Sequence, residues 1–262
     1  MADTTAIEDH ILTSIHGHIL KIEMNRPEKK NAITRAMYTQ MADALGSAVT
    51  DGQIRVVYIT GVSGIFTSGN DVLDFMNAPN TDADGPVGRF LKAIVTFPKP
   101  IVAAVDGHAI GIGTTMLLHC DLVYAGANAR FQMPFVDLGL CPEAASSLLL
   151  PGLLGHARAA EYLLLCEPFN AVQAVAIGLA NVEHSSETLQ EAAWAKAEKL
   201  AEKAPASIRI TKQLMREGQH DVLEARLKRE GEEFAARLVS PEAAEAFQAF
   251  AMRRAPDFSS FE

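Results

Sequence analysis

One glutamate in an apolar stretch of the sequence is placed where it could do acid–base chemistry. The stretch 131–155 reads FQMPFVDLGLCPEAASSLLLPGLLG, and its carboxylates are Asp137 and Glu143. One interpretation of Glu143 is structural, because Pro142 suits the first position of a helix and a carboxylate beside it favours the positive end of the helix dipole. The other is a general base kept reactive by poor solvation. The stretch alone leaves both open.

Two glycine-containing turns could hold a ligand oxygen. FTSGNDVLDF begins at Phe66 and DGHAIGIGTTMLL begins at Asp106, and each follows a strand-like segment and opens a helix-like one. Glycine lets the backbone approach a ligand closely, and the first amides of a helix are free donors. Two such turns facing each other could form an oxyanion hole, in which each donor contributes about 2.7–4 kcal/mol of transition-state stabilisation. Ordinary strand-to-helix turns explain the same residues, so both interpretations stand.

Several other kinds of site are absent from the sequence. GHAIGIGTTM places Met116 where a dinucleotide-binding fingerprint needs its last glycine, and there is no GxxxxGK[ST], HExxH or GxSxG motif. The eight histidines are scattered, so we expect no metal site. Cys120, Cys141 and Cys166 lie in apolar surroundings without a CxxC pair, which favours reduced core residues. We therefore expect no cofactor.

The elements that position these residues alternate between strands and helices. Strand patterns are ILKIEMN, preceded by a hairpin at IHGH, then IRVVYIT, IVAAVD and LVYA, and the helical segments between them are RAMYTQMADALGSAV, PVGRFLKAIVTF and GTTMLLHC. This alternation predicts an α/β fold with parallel pairing. After Asn181 the strand signal ends, and four helical segments rich in Ala, Glu, Lys and Arg follow. Lone helices of this size are marginal, so they must pack on the core or on another subunit.

Composition excludes some partners. The net charge of −9 over 262 residues argues against binding to nucleic acid, so any anionic ligand must meet a local basic patch. The apolar runs are too short and interrupted to span a membrane. The first ten residues lack a signal-peptide pattern and the last four lack a peroxisomal address, so the expected location is the cytoplasm.

Four motifs in order and spacing resemble those of the crotonase (enoyl-CoA hydratase/isomerase) superfamily: NRPEKKNAI, FTSGND, PKPIVAAVDGHAIGIG and AVQAVAIGLANVEHS. The resemblance implies acyl-CoA thioester substrates and a β-β-α spiral, with a core over 1–195 and a helical trimerisation region over 196–262. It also implies assembly as a trimer or hexamer. The implied oxyanion donors are the backbone amides of Asn70 and Ile112.

The same resemblance assigns the ligand-binding residues. Arg26, Lys29 and Lys30 would supply the basic patch for coenzyme A, while contacts from Arg253 or Arg254 are left open because Met252 stands where the family commonly has lysine. The remaining implied coenzyme A and substrate contacts are Ala32, Ser68, Gly69, Asp71, Val72, Gly111, Phe135 and Leu140.

The reaction is suggested by which carboxylates are present. Hydratases of the superfamily use two glutamates, and the chain has Thr115 and Phe135 at those places. PFVDLGLCPEAASSLLLP instead resembles the Δ3,Δ2-enoyl-CoA isomerase branch, which makes Glu143 the base that moves a proton from C2 to C4 of a 3-enoyl thioester. Apolar neighbours should raise its basicity more than a helix dipole lowers it, and Asp137 is expected to be solvated. The alternatives are hydration or another crotonase reaction, or an acyl-CoA-binding protein with little catalysis.

Overall fold

The computed structural model describes residues 9–62, 64–77 and 84–261. Residues 1–8, which carry most of the segment used to argue against a signal peptide, and Glu262 lie outside that range.

Strands and helices alternate through the first two thirds of the chain. The strands of the described residues are β1 (Ile11–His16), β2 (Ile19–Met24), β3 (Val56–Gly61), β4 (Ile101–Val105), β5 (His108–Ile110), β6 (Leu122–Gly126), β7 (Arg130–Gln132), β8 (Phe169–Asn170) and β9 (Val182–His184). The helices are α1 (Arg35–Thr50), α2 (Val72–Asn77), α3 (Pro86–Thr96), α4 (Ile112–Thr115), α5 (Ser146–Leu154), α6 (His156–Leu163), α7 (Ala171–Ala176), α8 (Ser186–Ala201), α9 (Pro205–Arg216), α10 (His220–Leu238) and α11 (Pro241–Ala251).

Two sheets form the spiral. The larger has the order β1-β2-β3-β4-β6-β9, and every pair except the β1–β2 hairpin is parallel. The smaller has the order β5-β7-β8, and single bridges from Thr67 to Ala109 and from Ile33 to Asn70 extend it. Parallel strands need crossover connections. Between successive parallel strands of the large sheet the chain therefore passes through the small sheet and a helix, as in the order β4, β5, α4, β6. The predicted hairpin and α/β spiral are confirmed.

The larger sheet is buried on both faces. Val57, Ile59 and Ala103 belong to the main core beneath α1 and α3, whereas the alternating residues Val56 and Tyr58 face a second core. That second core is covered by α8, whose inward stripe is Leu189, Ala193, Ala197 and Ala201. The near-continuous apolar runs of β3 and β4 are what burial on two faces requires.

The helical C-terminal part is held to the core by two cations, the buried Lys212 and the partly buried Arg216. On α9 the Lys212 ammonium donates to the Lys99 carbonyl at 2.7 Å and to Asp121 Oδ2 at 2.6 Å. Arg216 donates to the carbonyls of Val95 and His119, each at 3.0 Å. These bonds hold α9 against the spiral.

One expectation about this region is wrong in detail, and the expected boundary of the helical region lies within a helix. A strand follows Asn181 after all, because β9 adds to the edge of the large sheet beside β6; it has three residues, two of them polar, and therefore no apolar alternation to detect. The boundary between 195 and 196 falls inside α8, which runs unbroken to Ala201 and packs on the sheet.

Candidate active site

The two glycine turns lie side by side, joined by backbone hydrogen bonds. The amide of Thr67 donates to the carbonyl of His108 at 2.7 Å, and its carbonyl accepts from the amide of Ile110 at 3.1 Å. Glycine is required where the turns touch. Gly69 has a φ of +89°, and a Cβ at this position would lie 2.9 Å from the carbonyl oxygen of Ile110. The two backbones are therefore close enough to contribute to one site.

The backbone amides of Asn70 and Ile112 donate to no group within the described part of the chain. The amide before each one is paired: that of Gly69 donates to a threonine hydroxyl at 3.1 Å, and that of Gly111 donates to a carbonyl of β7 at 2.8 Å. Ile112 begins α4, so its amide has no acceptor within the helix. The two predicted oxyanion donors thus have no protein acceptor among these residues, and their use as an oxyanion hole stays a prediction.

Glu143 lies in a loop and not in the first turn of a helix. The following helix, α5, begins at Ser146, and the residues between them, Ala144 and Ala145, have φ values of +57° and +56°. The interpretation in which Pro142 opens a helix is therefore wrong. Two successive left-handed alanines are sterically costly, so contacts from the surrounding structure must hold them.

The Glu143 side chain is buried, with 6% of its surface exposed. The pKa of Glu143 is raised to about 8, first by burial and then by the charge of Glu230, while a hydrogen bond from Thr115 acts in the opposite direction. That bond runs from Thr115 Oγ1 on α4 to Glu143 Oε1 at 3.3 Å. The expectation that desolvation dominates is confirmed in direction.

A buried tyrosine links Glu143 to the first glycine turn. Tyr38 on α1 donates its hydroxyl hydrogen to Asn70 Oδ1 at 2.5 Å. Burial raises the pKa of Tyr38, and the charge of Glu143 raises it further, so the two side chains lie within electrostatic reach. Glu143 therefore shares a neighbour with Asn70 and, through Thr115, contacts the helix that Ile112 begins.

Aromatic and aliphatic side chains surround this region. Phe135 packs against Phe234 of α10 with ring centroids 6.4 Å apart, and Phe75 contacts the same ring at 6.0 Å. Leu140 is buried, and Cys141 is half-buried with a thiol whose pKa burial raises to about 11. Phe135 and Leu140, both predicted to line the substrate pocket, thus belong to an apolar wall that keeps water scarce.

The two segments that the resemblance assigns to coenzyme A run next to each other. Ser68 donates its amide to the carbonyl of Lys30 at 3.0 Å, Ile33 to that of Gly69 at 2.8 Å, and Asp71 to that of Ile33 at 2.9 Å. This ladder brings together most of the predicted ligand contacts: Lys29, Lys30, Ala32, Ser68, Gly69, Asp71 and Val72.

Arg26 has internal partners, and its place in the basic patch with Lys29 and Lys30 stays a prediction. Its Nη1 lies 2.6 Å from Asp71 Oδ2 and donates to the Ala32 carbonyl at 3.1 Å. Burial by itself would raise the pKa of Asp71, but hydrogen bonds, among them that from Arg26, bring it below the usual value. Arg26 and Asp71 therefore hold the two segments together, while Lys29 and Lys30 are exposed.

Other predicted residues are accounted for as follows. Asp137 is exposed, as expected. Arg254 forms a bidentate pair with Glu245, at 2.5 and 2.9 Å, so its charge is satisfied within the C-terminal segment. Arg253 and Met252 are exposed.

Four residues of the site were missed by sequence reasoning. Thr115 was noted only because it replaces a hydratase glutamate, yet its hydroxyl contacts Glu143. Tyr38 lies within the helical segment RAMYTQMADALGSAV and was given no role. His119 and Glu230 contact the loop after Glu143. Glu230 accepts a hydrogen bond from the amide of Ala145, which lies 85 residues earlier in the chain. No local pattern marks a contact of that range.

Other features of the described residues lie outside this site. No helix among them is long and apolar enough to cross a membrane, and no three of their His, Cys, Asp and Glu side chains come together as a metal site. A surface cleft between β2, β3 and α8, lined by His16, Arg55 and Trp194 among others, contains none of the candidate residues.

Comparison with known proteins places this geometry in a family. A family model described as enoyl-CoA hydratase/isomerase matches residues 14–260. A solved structure of Pseudomonas aeruginosa OdaA superposes with a TM-score of 0.90 at 50% identity, covering 92% of this chain and 98% of that one.

Two curated relatives carry different reaction names. Enoyl-CoA delta isomerase 2 of Rattus norvegicus is 37% identical over 93% of this chain, which spans 64% of the rat protein's length. The 2,3-dehydroadipyl-CoA hydratase of Escherichia coli (strain K12) is 33% identical over 95% of this chain and 98% of its own. The reaction names differ but the scaffold is shared, and the chain belongs to the enoyl-CoA hydratase/isomerase family.

Proposed function

We propose that the protein converts 3-enoyl-CoA thioesters to 2-trans-enoyl-CoA thioesters, with Glu143 as the proton-transferring base. The observation that carries this proposal is a buried carboxyl, Glu143, which accepts a hydrogen bond from Thr115 on the helix that Ile112 begins, while Thr115 and Phe135 occupy the places of the hydratase glutamates. One base suffices for isomerisation, whereas hydration in the family uses two.

The proton transfer is balanced without another reactant. Ionised Glu143 removes a proton from C2, the C2–H electron pair becomes part of a dienolate, and negative charge develops on the thioester oxygen. The amides of Asn70 and Ile112 would donate to that oxygen, and each such donor is worth about 2.7–4 kcal/mol. The same carboxyl then returns the proton to C4, leaving a conjugated double bond between C2 and C3.

The environment of Glu143 suits this cycle. Thr115 donates to Oε1, while Oε2 accepts no hydrogen bond from the described residues and is the oxygen available to a substrate proton. A pKa of about 8 lies near neutral pH, so the carboxyl can both take up and release a proton without a large energetic penalty. The apolar wall around Phe135 protects the dienolate from protonation by water.

Hydration is the second candidate, and it is favoured by the name of the Escherichia coli relative. It requires a second carboxyl to act on water. Glu230 is near Glu143, but both of its oxygens accept hydrogen bonds from the chain itself. Binding of acyl-CoA with little catalysis is the third candidate, and it is the outcome expected if Glu143 has no access to the acyl chain.

Parallel assays of 3-hexenoyl-CoA and crotonyl-CoA distinguish the three candidates. Isomerisation gives conjugated product from the first substrate, detected by ultraviolet absorbance and chromatography, and no hydrated product from the second. Glu143→Gln should lower kcat about 10²–10⁴-fold with coenzyme A binding retained, because the general base is lost. Glu191→Gln, an exposed carboxyl on α8, is the matched control and should retain parental rates. Glu143→Gln activity within tenfold of the parent would exclude this base.

We extend the proposal to self-association as a trimer or hexamer. The C-terminal helices and the residues that follow them expose large apolar side chains, a pattern that marks interaction surfaces: Ile210, Leu214, Met215, Val222, Val239, Phe250 and Met252. Light scattering coupled to size exclusion should give the mass of three or six chains. Leu214→Lys should lower that mass, whereas Gln213→Lys should not, and a monomeric parent protein would contradict the proposal.

A further inference from the structure

A second buried carboxylate supports the turn that presents Glu143. Glu230 on α10 has 6% of its surface exposed. Its Oε2 accepts from the amide of Ala145 at 2.6 Å, and its Oε1 accepts from the amide and hydroxyl of Ser147 at 3.0 and 2.5 Å. Arg226, one turn earlier on the same helix, donates to that serine hydroxyl at 2.9 Å.

These hydrogen bonds are made to a segment whose backbone conformation is sterically unfavourable. Ala144 and Ala145 are both left-handed, a conformation that costs roughly 1–2 kcal/mol per residue for amino acids other than glycine. Glu230 satisfies amides at the start of α5 that have no acceptor inside the helix. His119 completes the support, because its Nε2 lies 2.7 Å from the carbonyl oxygen of Ala144.

The position of the Glu143 carboxyl therefore depends on a helix far away in sequence. The carbonyl of Glu143 accepts from the amide and the hydroxyl of Ser146, at 3.0 and 2.6 Å, so the residue moves with the turn. A misplacement of about 1 Å at a reacting group can cost roughly 10²-fold in rate. Contacts that hold the turn in place therefore also hold the carboxyl that transfers the proton.

We propose that Glu230 is a positioning residue for Glu143, by which the C-terminal helices fix the geometry of the catalytic loop. This inference rests on the proposed function of Glu143. It also assigns Glu230 no direct part in the chemistry, because both of its oxygens are engaged by the turn and neither is free to act on water.

The charge of Glu230 adds an electrostatic effect that a purely structural contact would not have. It is the second-largest cause, after burial, of the raised pKa of Glu143. Burial also raises the pKa of Glu230 itself, while donors from Ser147 and Ala145 and the charge of Arg226 lower it. The other titratable or charged groups beside the two carboxyls are Tyr38 of α1, Cys141 and Arg226; His119 contacts the turn, and Glu233 acts on Cys141.

Two substitutions separate geometry from charge. Glu230→Ala removes both acceptors and should lower kcat about 10–100-fold with KM within about threefold of the parent. Glu230→Gln keeps one acceptor and the size of the side chain, so it should retain more activity and move the acidic limb of kcat/KM for 3-hexenoyl-CoA to lower pH. Glu232→Gln and Glu232→Ala, exposed changes on the same helix, should alter neither quantity.

The outcomes are separable from those of the proposed function. Parental kcat and an unshifted pH limb in Glu230→Gln would overturn the positioning role, and this variant decides the question if Glu230→Ala does not fold. If the parent does not isomerise 3-enoyl-CoA, stability provides the readout. The stabilisation that Glu143→Gln gains between pH 5 and pH 9 should be smaller in a Glu230→Gln background. An equal gain in both backgrounds would overturn the inference.

Discussion

Replacing Glu143 with glutamine should stabilise the folded protein at alkaline pH while removing its proposed base. Glutamine has nearly the same shape, can accept from Thr115, and is neutral at every pH. The parent residue, in contrast, must ionise in a site that disfavours its charge. Residues selected for chemistry commonly reduce stability in this way.

The sign and size of this stabilisation follow from the pKa of Glu143. Its value is about 8 in the folded protein against an ordinary value of 4.5, so the folded chain keeps a proton that the unfolded chain releases between these pH values. The free energy of unfolding of the parent therefore falls as pH rises through this window. Multiplying the pKa difference by 1.36 kcal/mol per unit gives a total of about 5 kcal/mol. Glu143→Gln avoids this loss, and its advantage is about 1 kcal/mol at pH 5, about 3 at pH 7 and about 5 at pH 9.

Urea unfolding at several pH values measures the difference. With equal m-values of about 3 kcal/mol/M, the midpoint of the variant should rise by about 1 M relative to the parent between pH 5 and pH 9. Both proteins are compared at one protein concentration, because association shifts apparent stability. Glu191→Gln on the exposed face of α8 should give a difference that stays within about 0.5 kcal/mol at all pH values. A Glu143→Gln advantage that does not grow with pH would refute the desolvated carboxyl.

Three further predictions concern the same site. The kcat/KM of the parent for 3-hexenoyl-CoA should rise with pH and reach half its maximum near pH 8, where Glu143 ionises; a rate already constant above pH 6 would contradict this. Asn70→Ala should leave kcat within about tenfold, because the backbone amide is retained, but lower the free energy of unfolding by about 1–3 kcal/mol, since the buried Tyr38 hydroxyl loses its acceptor. Chemical denaturation and initial rates test both parts, and a larger loss of kcat would give the Asn70 side chain a role in the chemistry. Phe234→Ala should lower the free energy of unfolding by about 3–5 kcal/mol, because it opens a cavity against Phe75 and Phe135. An unchanged unfolding midpoint would contradict that packing.

The sequence by itself determined the elements whose evidence is local. Alternation predicted the β1–β2 hairpin, the β-branched runs predicted β3 and β4, and the stripe through Met37, Met41 and Leu45 predicted α1. Glycine spacing located both turns, and Glu143 was conspicuous because its neighbours are apolar. These features depend on residues within one or two turns of each other, so a linear pattern records them.

Only the tertiary structure decided the roles that depend on distant partners. The left-handed alanines after Pro142 move the start of α5, and no propensity predicts them because His119 and Glu230 stabilise them from elsewhere. The sequence predicts Arg26 as a free cation, but in the structure Asp71, 45 residues later, lies beside it. The pKa of Glu143 likewise comes from burial and from a helix more than 80 residues away. Desolvation and long-range hydrogen bonds exist only once the chain has packed.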